Sequence, residues 1–229
     1  MPYFVVRGNL SRTVPATGEP FRRSLHGEPY DPLGMESMAI NEDLFLALNA
    51  VYLRKMGNME AICKCSSLER GAVQALLGQA LADGLVVDLD GQFMLDDTGC
   101  RAVLQFYDEA YAPLRTGGHL IGWYAQFETL NAQFLKLISE WQTSGGERRV
   151  LAQLLRVVDR HVTAIRRIEE TIPRYRTYAD RFTAAMDRVD LGDVTYVTNP
   201  LADSIHNIWF EFHEDILAVV GKPRETVED

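Results

Sequence analysis

The sequence predicts a mainly α-helical protein with one small β-hairpin in its first half. Two observations carry that expectation. Apolar residues recur at three- and four-residue spacing over most of the chain beyond residue 38. One Asp90-Gly91 pair lies between the short apolar runs LVVDL and QFML, the strongest two-residue hairpin signal there is.

Bulk properties bound the rest. At 229 residues the chain can form one large domain or two small ones, and 47% apolar with 24% charged residues is ordinary globular composition. A net charge of −9 argues against a protein whose main business is a phosphate backbone. The N-terminus MPYFVVRGNL lacks the long apolar stretch of a secretory signal, and no window approaches a membrane span. Cys63, Cys65 and Cys100 show no framework spacing, so reduced thiols and a cytoplasmic location are expected.

In chain order, residues 1–35 open on a short strand-like run, PYFVVR, and are then dense in Pro and Gly, which excludes regular structure there. They read as an extended N-terminal arm lying on its own domain or on a partner, with Phe21, Arg22, Arg23, His26 and Tyr30 as contacts, or else as a solvated tail. Residues 38–56 place Leu44, Leu48, Val51 and Tyr52 on one helical face, with Asn41 as N-cap. After the break at Gly57-Asn58 a short helix is expected, then a third opening on a Ser66/Glu69 capping box and ending before Gly84. The hairpin follows. Asp97 or Thr98 caps another helix, which Pro113 is expected to end. This order is that of a winged helix-turn-helix over residues 36–116.

Gly117-Gly118 reads as a linker. Four helices are expected beyond it, over about 120–143, 147–170, 173–191 and from about 201 onward, forming an antiparallel helical bundle over residues 119–222 with a tail at 223–229.

A DNA-reading helix needs basic or amide side chains at base edges and a basic wing. Here Arg70, Gln74 and Gln79 are the candidate readers, yet residues 66–100 hold one basic residue against six acidic ones. Carrying Asp88 and Asp90 on the wing tip toward a polyanion is electrostatically unfavourable. The winged helix is therefore expected to serve protein–protein docking, with DNA the less favoured partner.

Three other groupings could carry chemistry. Arg149, Arg156, Arg160 and Arg167 share one face of the second bundle helix, with Arg166, Arg174 and Arg176 nearby, a row suited to phosphates, to an acidic partner or simply to solvent. His206 and His213 lie seven apart on the last helix beside Glu214, without the third ligand that a metal would require. On a helix, Cys63 and Cys65 point about 200° apart, which disfavours a shared metal. No phosphate loop, nucleophile elbow or paired-carboxylate motif is present, so no catalytic residue, cofactor or metal is expected.

The stretch ALADGLVV…DGQFMLDDTGCRAV resembles the MarR-like winged-helix group over roughly residues 38–112. Together with FETLNAQFLKLISEWQ and the long run ending SIHNIWFEFHEDILAVVG, it also resembles a region attached to actinobacterial pyruvate-phosphate-dikinase-like and phosphoenolpyruvate-synthase-like phosphotransferases, over about residues 38–222. The most specific part is the run from His206 to Asp215. Such enzymes move phosphate from ATP through a phosphohistidine, and the motif that carries it is missing here. The resemblance thus implies a non-catalytic accessory subunit docking a dikinase-like partner, with a small alcohol or phenol as a possible acceptor, and a homo-oligomer is also possible. The alternative is a MarR-like DNA-binding transcriptional regulator.

Overall fold

The computed structural model describes residues 39–222. The expected arm, with Phe21, Arg22, Arg23, His26 and Tyr30, and the tail at 223–229 lie outside the described residues. The protein is mainly helical with one small three-stranded antiparallel sheet.

Helix α1 (Glu42–Arg54) starts where Asn41 Oδ1 accepts from the Leu44 amide at 2.9 Å, with Glu42 and Asp43 complementing the helix dipole. It is shorter than the periodic stretch because Asn41 caps it late and Lys55 turns out at φ 68°. The expected break at Gly57-Asn58 is a two-residue strand, β1 (Gly57–Asn58), and Asn58 then caps α2 (Met59–Ser66) by accepting from the Ala61 amide. The Ser66/Glu69 capping box does not form. Ser66 closes α2, donating to the Ile62 carbonyl at 2.7 Å and accepting from the Leu68 amide, so its hydroxyl is already committed to the preceding turn. Helix α3 (Arg70–Ala82) begins one turn later, with Glu69 as an N-cap that makes no side-chain bond.

Gly84, at φ 68°, ends α3 as expected. Its amide reaches Leu81 O while Leu85 N reaches Ala80 O, a Schellman closure. Strands β2 (Val86–Leu89) and β3 (Gln92–Leu95) are joined by Asp90 and Gly91, both at positive φ (58° and 81°) as a type I′ turn demands. The strand order is β1-β3-β2.

Asp96 caps α4 (Asp97–Arg115) through the Thr98 amide. Pro113 was expected to stop this helix but lies inside its last turn. A proline there removes one hydrogen bond, and Arg115 holds the end from outside. Its guanidinium donates to Val219 O and Ala218 O, both at 2.9 Å, satisfying end carbonyls of the last helix. The expected glycine linker is no spacer, for Gly117 is the N-cap of α5 (Gly118–Thr143).

Helix α6 (Arg148–Ile168) runs antiparallel to α5, since Trp123 Nε1 donates to Ala164 O and Arg160 reaches Gln133. Helix α7 (Tyr175–Asp190), a 3₁₀ turn (Val194–Val197) and α8 (Ile205–Val220) complete the described chain. Helix α8 packs on α1 and α4 as well as on α5 and α7. One continuous core results. At its centre Trp209 stacks on Phe134 with ring centroids 3.8 Å apart, while its Nε1 donates to Asn131.

Gly99 sits where the first turn of α4 crosses the chain entering β2. A Cβ on it would fall 2.0 Å from the Leu85 carbonyl oxygen, which is backbone and cannot swing aside. Gly99→Ala is therefore expected to lower unfolding free energy by about 2–3 kcal/mol, read from urea denaturation.

Candidate functional site

The polar groups that the fold brings together cluster on α8. Ile208, Glu211, Phe212, Asp215, Ile216 and Val219 follow one helical face and all are buried. Two of the six are acids, four residues apart.

Asp215 is 0% exposed. It accepts from Arg174, from Tyr175 Oη at 3.2 Å and from Tyr178 Oη at 3.0 Å, with Asn49 Nδ2 at 3.5 Å. Tyr107 in turn donates to Asn49 Oδ1 at 2.8 Å. Burial pushes the Asp215 carboxyl up, against the pull of Arg174 and the two tyrosine hydroxyls. The largely buried Arg174 guanidinium lies 4.9 to 5.7 Å from the ring centroids of Tyr175, Tyr111, Tyr107 and Phe45. Its Nε and Nη1 make no hydrogen bond, and the four rings offer the cation their π faces instead. Burial would lower the Arg174 pKa, but Asp215 outweighs it and holds the guanidinium charged.

One turn earlier, Glu211 accepts from Arg54 and from Arg181 Nη2 at 2.6 Å. Arg181 is 7% exposed and also forks onto Asp203 through Nε and Nη2. Cys65 Sγ lies 3.4 Å from Glu211 Oε2, and burial together with that carboxylate pushes the thiol up to about 12. It remains a thiol at neutral pH and is no nucleophile. The outer end of this cluster opens on a small pocket of about 180 Å³ beside Arg54, Asn58, Lys64 and Asp203.

His161 on α6 is 0% exposed. Phe127, Trp209, Phe182 and Phe212 surround it with centroids 4.3 to 5.4 Å away, and neither ring nitrogen has a hydrogen-bond partner among the described residues. Burial lowers its pKa to about 3.

The residues singled out by sequence scatter. Arg149, Arg156, Arg160 and Arg167 are exposed along α6. Arg156 and Arg160 border a shallow groove against α5. Arg174 leaves that group for the interior, while Arg176 stays exposed and pairs with Glu169 at 3.4 Å. His206, His213 and Glu214 are half-buried, burial lowers the His206 pKa, and the His213 ring lies 5.8 Å from Phe127. Among the described residues no group of three or more His, Cys, Asp or Glu could hold a metal ion. Sequence reading missed Asn49, His161, Arg181, Glu211 and Asp215. The available signal was an acid at two positions of an otherwise apolar seam.

The hairpin gives a different surface. Val87 pairs with Met94 and Leu89 with Gln92, so the two-residue period puts these four on one face. That face is open: Val87 is 37%, Leu89 49% and Met94 38% exposed. Asp83, Asp88, Asp90, Asp96 and Asp97, in and beside the hairpin in sequence, are all exposed, with Asp88 paired to Phe93 on the other face. On α3, Arg70 and Gln74 border a second shallow groove floored by Leu77 and Phe93. Comparison with protein-family models, with curated proteins and with solved structures gives no match for this chain.

Two outcomes follow from the buried groups. Asp215→Ala leaves a buried guanidinium without its counter-charge and should cost about 3–5 kcal/mol, whereas Asp215→Leu combined with Arg174→Met should recover most of that loss in urea unfolding. The folded pKa of His161 lies below its unfolded value near 6.5, so the unfolded state takes up the proton first. Stability is whole above that value and falls by about 1.4 kcal/mol per pH unit between about 6.5 and 3. His161→Leu should flatten this part of the profile, measured as the urea midpoint at several pH values.

Proposed function

We propose that this chain is a non-catalytic docking subunit, a winged helix joined to a helical bundle, that binds a dikinase-like phosphotransferase through its wing. The observation that carries the reading is the apolar outer face of the hairpin, Val87, Leu89 and Met94, with the exposed Asp90 in the turn at its end. An exposed apolar patch with a polar rim is what a protein interface presents. Among the described residues the buried charges Arg174, Asp215, Arg181 and Glu211 are paired with one another or with Asp203. The class of partner rests on the sequence resemblance of residues 38–222 alone, and an acceptor such as a small alcohol or phenol would belong to the partner's chemistry.

The full chain used as bait in native extract should recover a dikinase-like protein and transfer no phosphate by itself. Val87→Glu with Met94→Glu should reduce the capture about tenfold or more, since two buried carboxylates would have no partner. Unaided phosphorylation of an acceptor, or capture indifferent to the wing, would sink the proposal.

The DNA-binding regulator remains the second reading because Arg70 and Gln74 stand exposed on α3, where a reading helix would use them. A sequence-specific gel shift that weakens steeply with salt would favour it.

A further inference from the structure

Helix α6 carries six arginines, no lysine and one aspartate. Arg149, Arg156, Arg160 and Arg167 are exposed and have no carboxylate partner among the described residues, in a chain that holds 32 acids against 23 bases. Outside α6, every described arginine except Arg70 and Arg101 has such a pair. At about 100° per residue, the four positions fall within roughly 20° of one line along the helix. That line is about 27 Å long, with intervals of roughly 10, 6 and 10 Å. Gln153 and Thr163 lie along it, both exposed and uncharged. Asp159 and, just past the helix end, Glu170 stand about 60–80° to one side. Gln133 steadies the Arg160 guanidinium by accepting a hydrogen bond from it.

We propose that this row docks an acidic α-helix of a partner protein, four carboxylates of which meet Arg149, Arg156, Arg160 and Arg167 in turn. Charge names the chemistry of the partner, and spacing names its form. Residues at seven-, four- and seven-residue steps on a second helix repeat the intervals of the row, because both helices rise about 1.5 Å per residue. An extended strand repeats on one face about every 6–7 Å and matches the middle interval alone. A nucleic-acid duplex presents one charge per about 1.7 Å, so it would set roughly 16 phosphates against the four cations. The surplus would meet a chain of net charge −9. Arginine also suits carboxylates better than lysine does, since its planar fork takes both oxygens together. No four carboxylates of this chain follow the same steps, so a second copy is not the occupant. Ion pairs of this kind stay close to solvent, which makes the complex weak and salt-sensitive. It uses no residue of the hairpin and does not rest on the reading of the wing.

The test uses the full chain and a labelled, alanine-rich helical peptide of about 24 residues, long enough to hold its helix, with four glutamates at those steps. Its isomer has the same composition with the glutamates spread round the helix. In fluorescence anisotropy at about 50 mM salt, the patterned peptide should bind about tenfold or more tighter than the isomer, and about 300 mM salt should weaken it about tenfold. Arg156→Gln with Arg160→Gln should weaken it about tenfold as well, and glutamine keeps the helix because its propensity is close to that of arginine. Arg101→Gln, at an exposed unpaired arginine on α4, is the control and should change nothing. Absence of binding by the patterned peptide overturns the proposal, and so does equal binding of the isomer. A duplex of about 20 base pairs that binds more tightly than the peptide would make the row a phosphate site and also overturn it. So would a control variant that loses as much affinity as the arginine pair does.

Discussion

Two carboxylates on one buried helical face constrain everything around them. A carboxylate taken into a protein interior costs several kcal/mol unless a cation and hydrogen-bond donors go with it. Glu211 and Asp215 satisfy that condition by drawing on separate parts of the chain: Arg54 and Asn49 from α1, Arg181 and the tyrosines from α7, and Arg174 just ahead of it. Asp203, before α8, shares Arg181. Sliding α8 by one residue would rotate both acids into aromatic side chains and strand the arginines. The register of α8 against both halves of the described chain is thus set by charge, while the apolar residues beside it supply the area.

The same arrangement sets the charge state of the buried groups beside it. Cys65 stays protonated, burial raises the pKa of Tyr107, Tyr175 and Tyr178, and His161 is neutral. These buried groups are held in their uncharged forms, while Arg174, Arg181, Glu211 and Asp215 are tied to one another or to Asp203. Arg174 shows the point best. It combines an ion pair with four aromatic rings, a setting that makes a cation stable and leaves it unable to meet a ligand.

Local signals in the sequence were legible where the backbone alone decides. Asn41 capping α1, Gly84 closing α3 and Asp90-Gly91 turning the hairpin depend on a few neighbouring atoms. The errors came where two local uses competed or where a distant group intervened. Ser66 could cap forward or bond backward, and it bonds backward to Ile62. Pro113 would end an isolated helix, but Arg115 anchors the last turn of α4 to the carbonyls of α8 from over a hundred positions away. Arg174 looked like one more cation near a solvent-facing row because nothing adjacent in sequence announces Asp215. A periodic reading can notice acids in an apolar seam, yet it cannot supply their partners.

The run from His206 to Asp215 supplies much of the buried face of α8. Ile208, Trp209, Glu211, Phe212 and Asp215 are buried, and Asn207 braces the preceding turn through the carbonyls of Asn199, Pro200 and Ala202. Burial and charge pairing account for most of its residue choices. A sequence that keeps those residues keeps this fold, whatever it binds. The outer face of the hairpin is under less demand, since Val87, Leu89 and Met94 are each more than a third exposed. Residues that the fold does not require, gathered into an apolar face edged with one sign of charge, carry more functional information than the conspicuous aromatic run. Val87, Leu89 and Met94 stay exposed on a strand pair whose inner residues, Val86, Phe93 and Leu95, already meet the needs of the core.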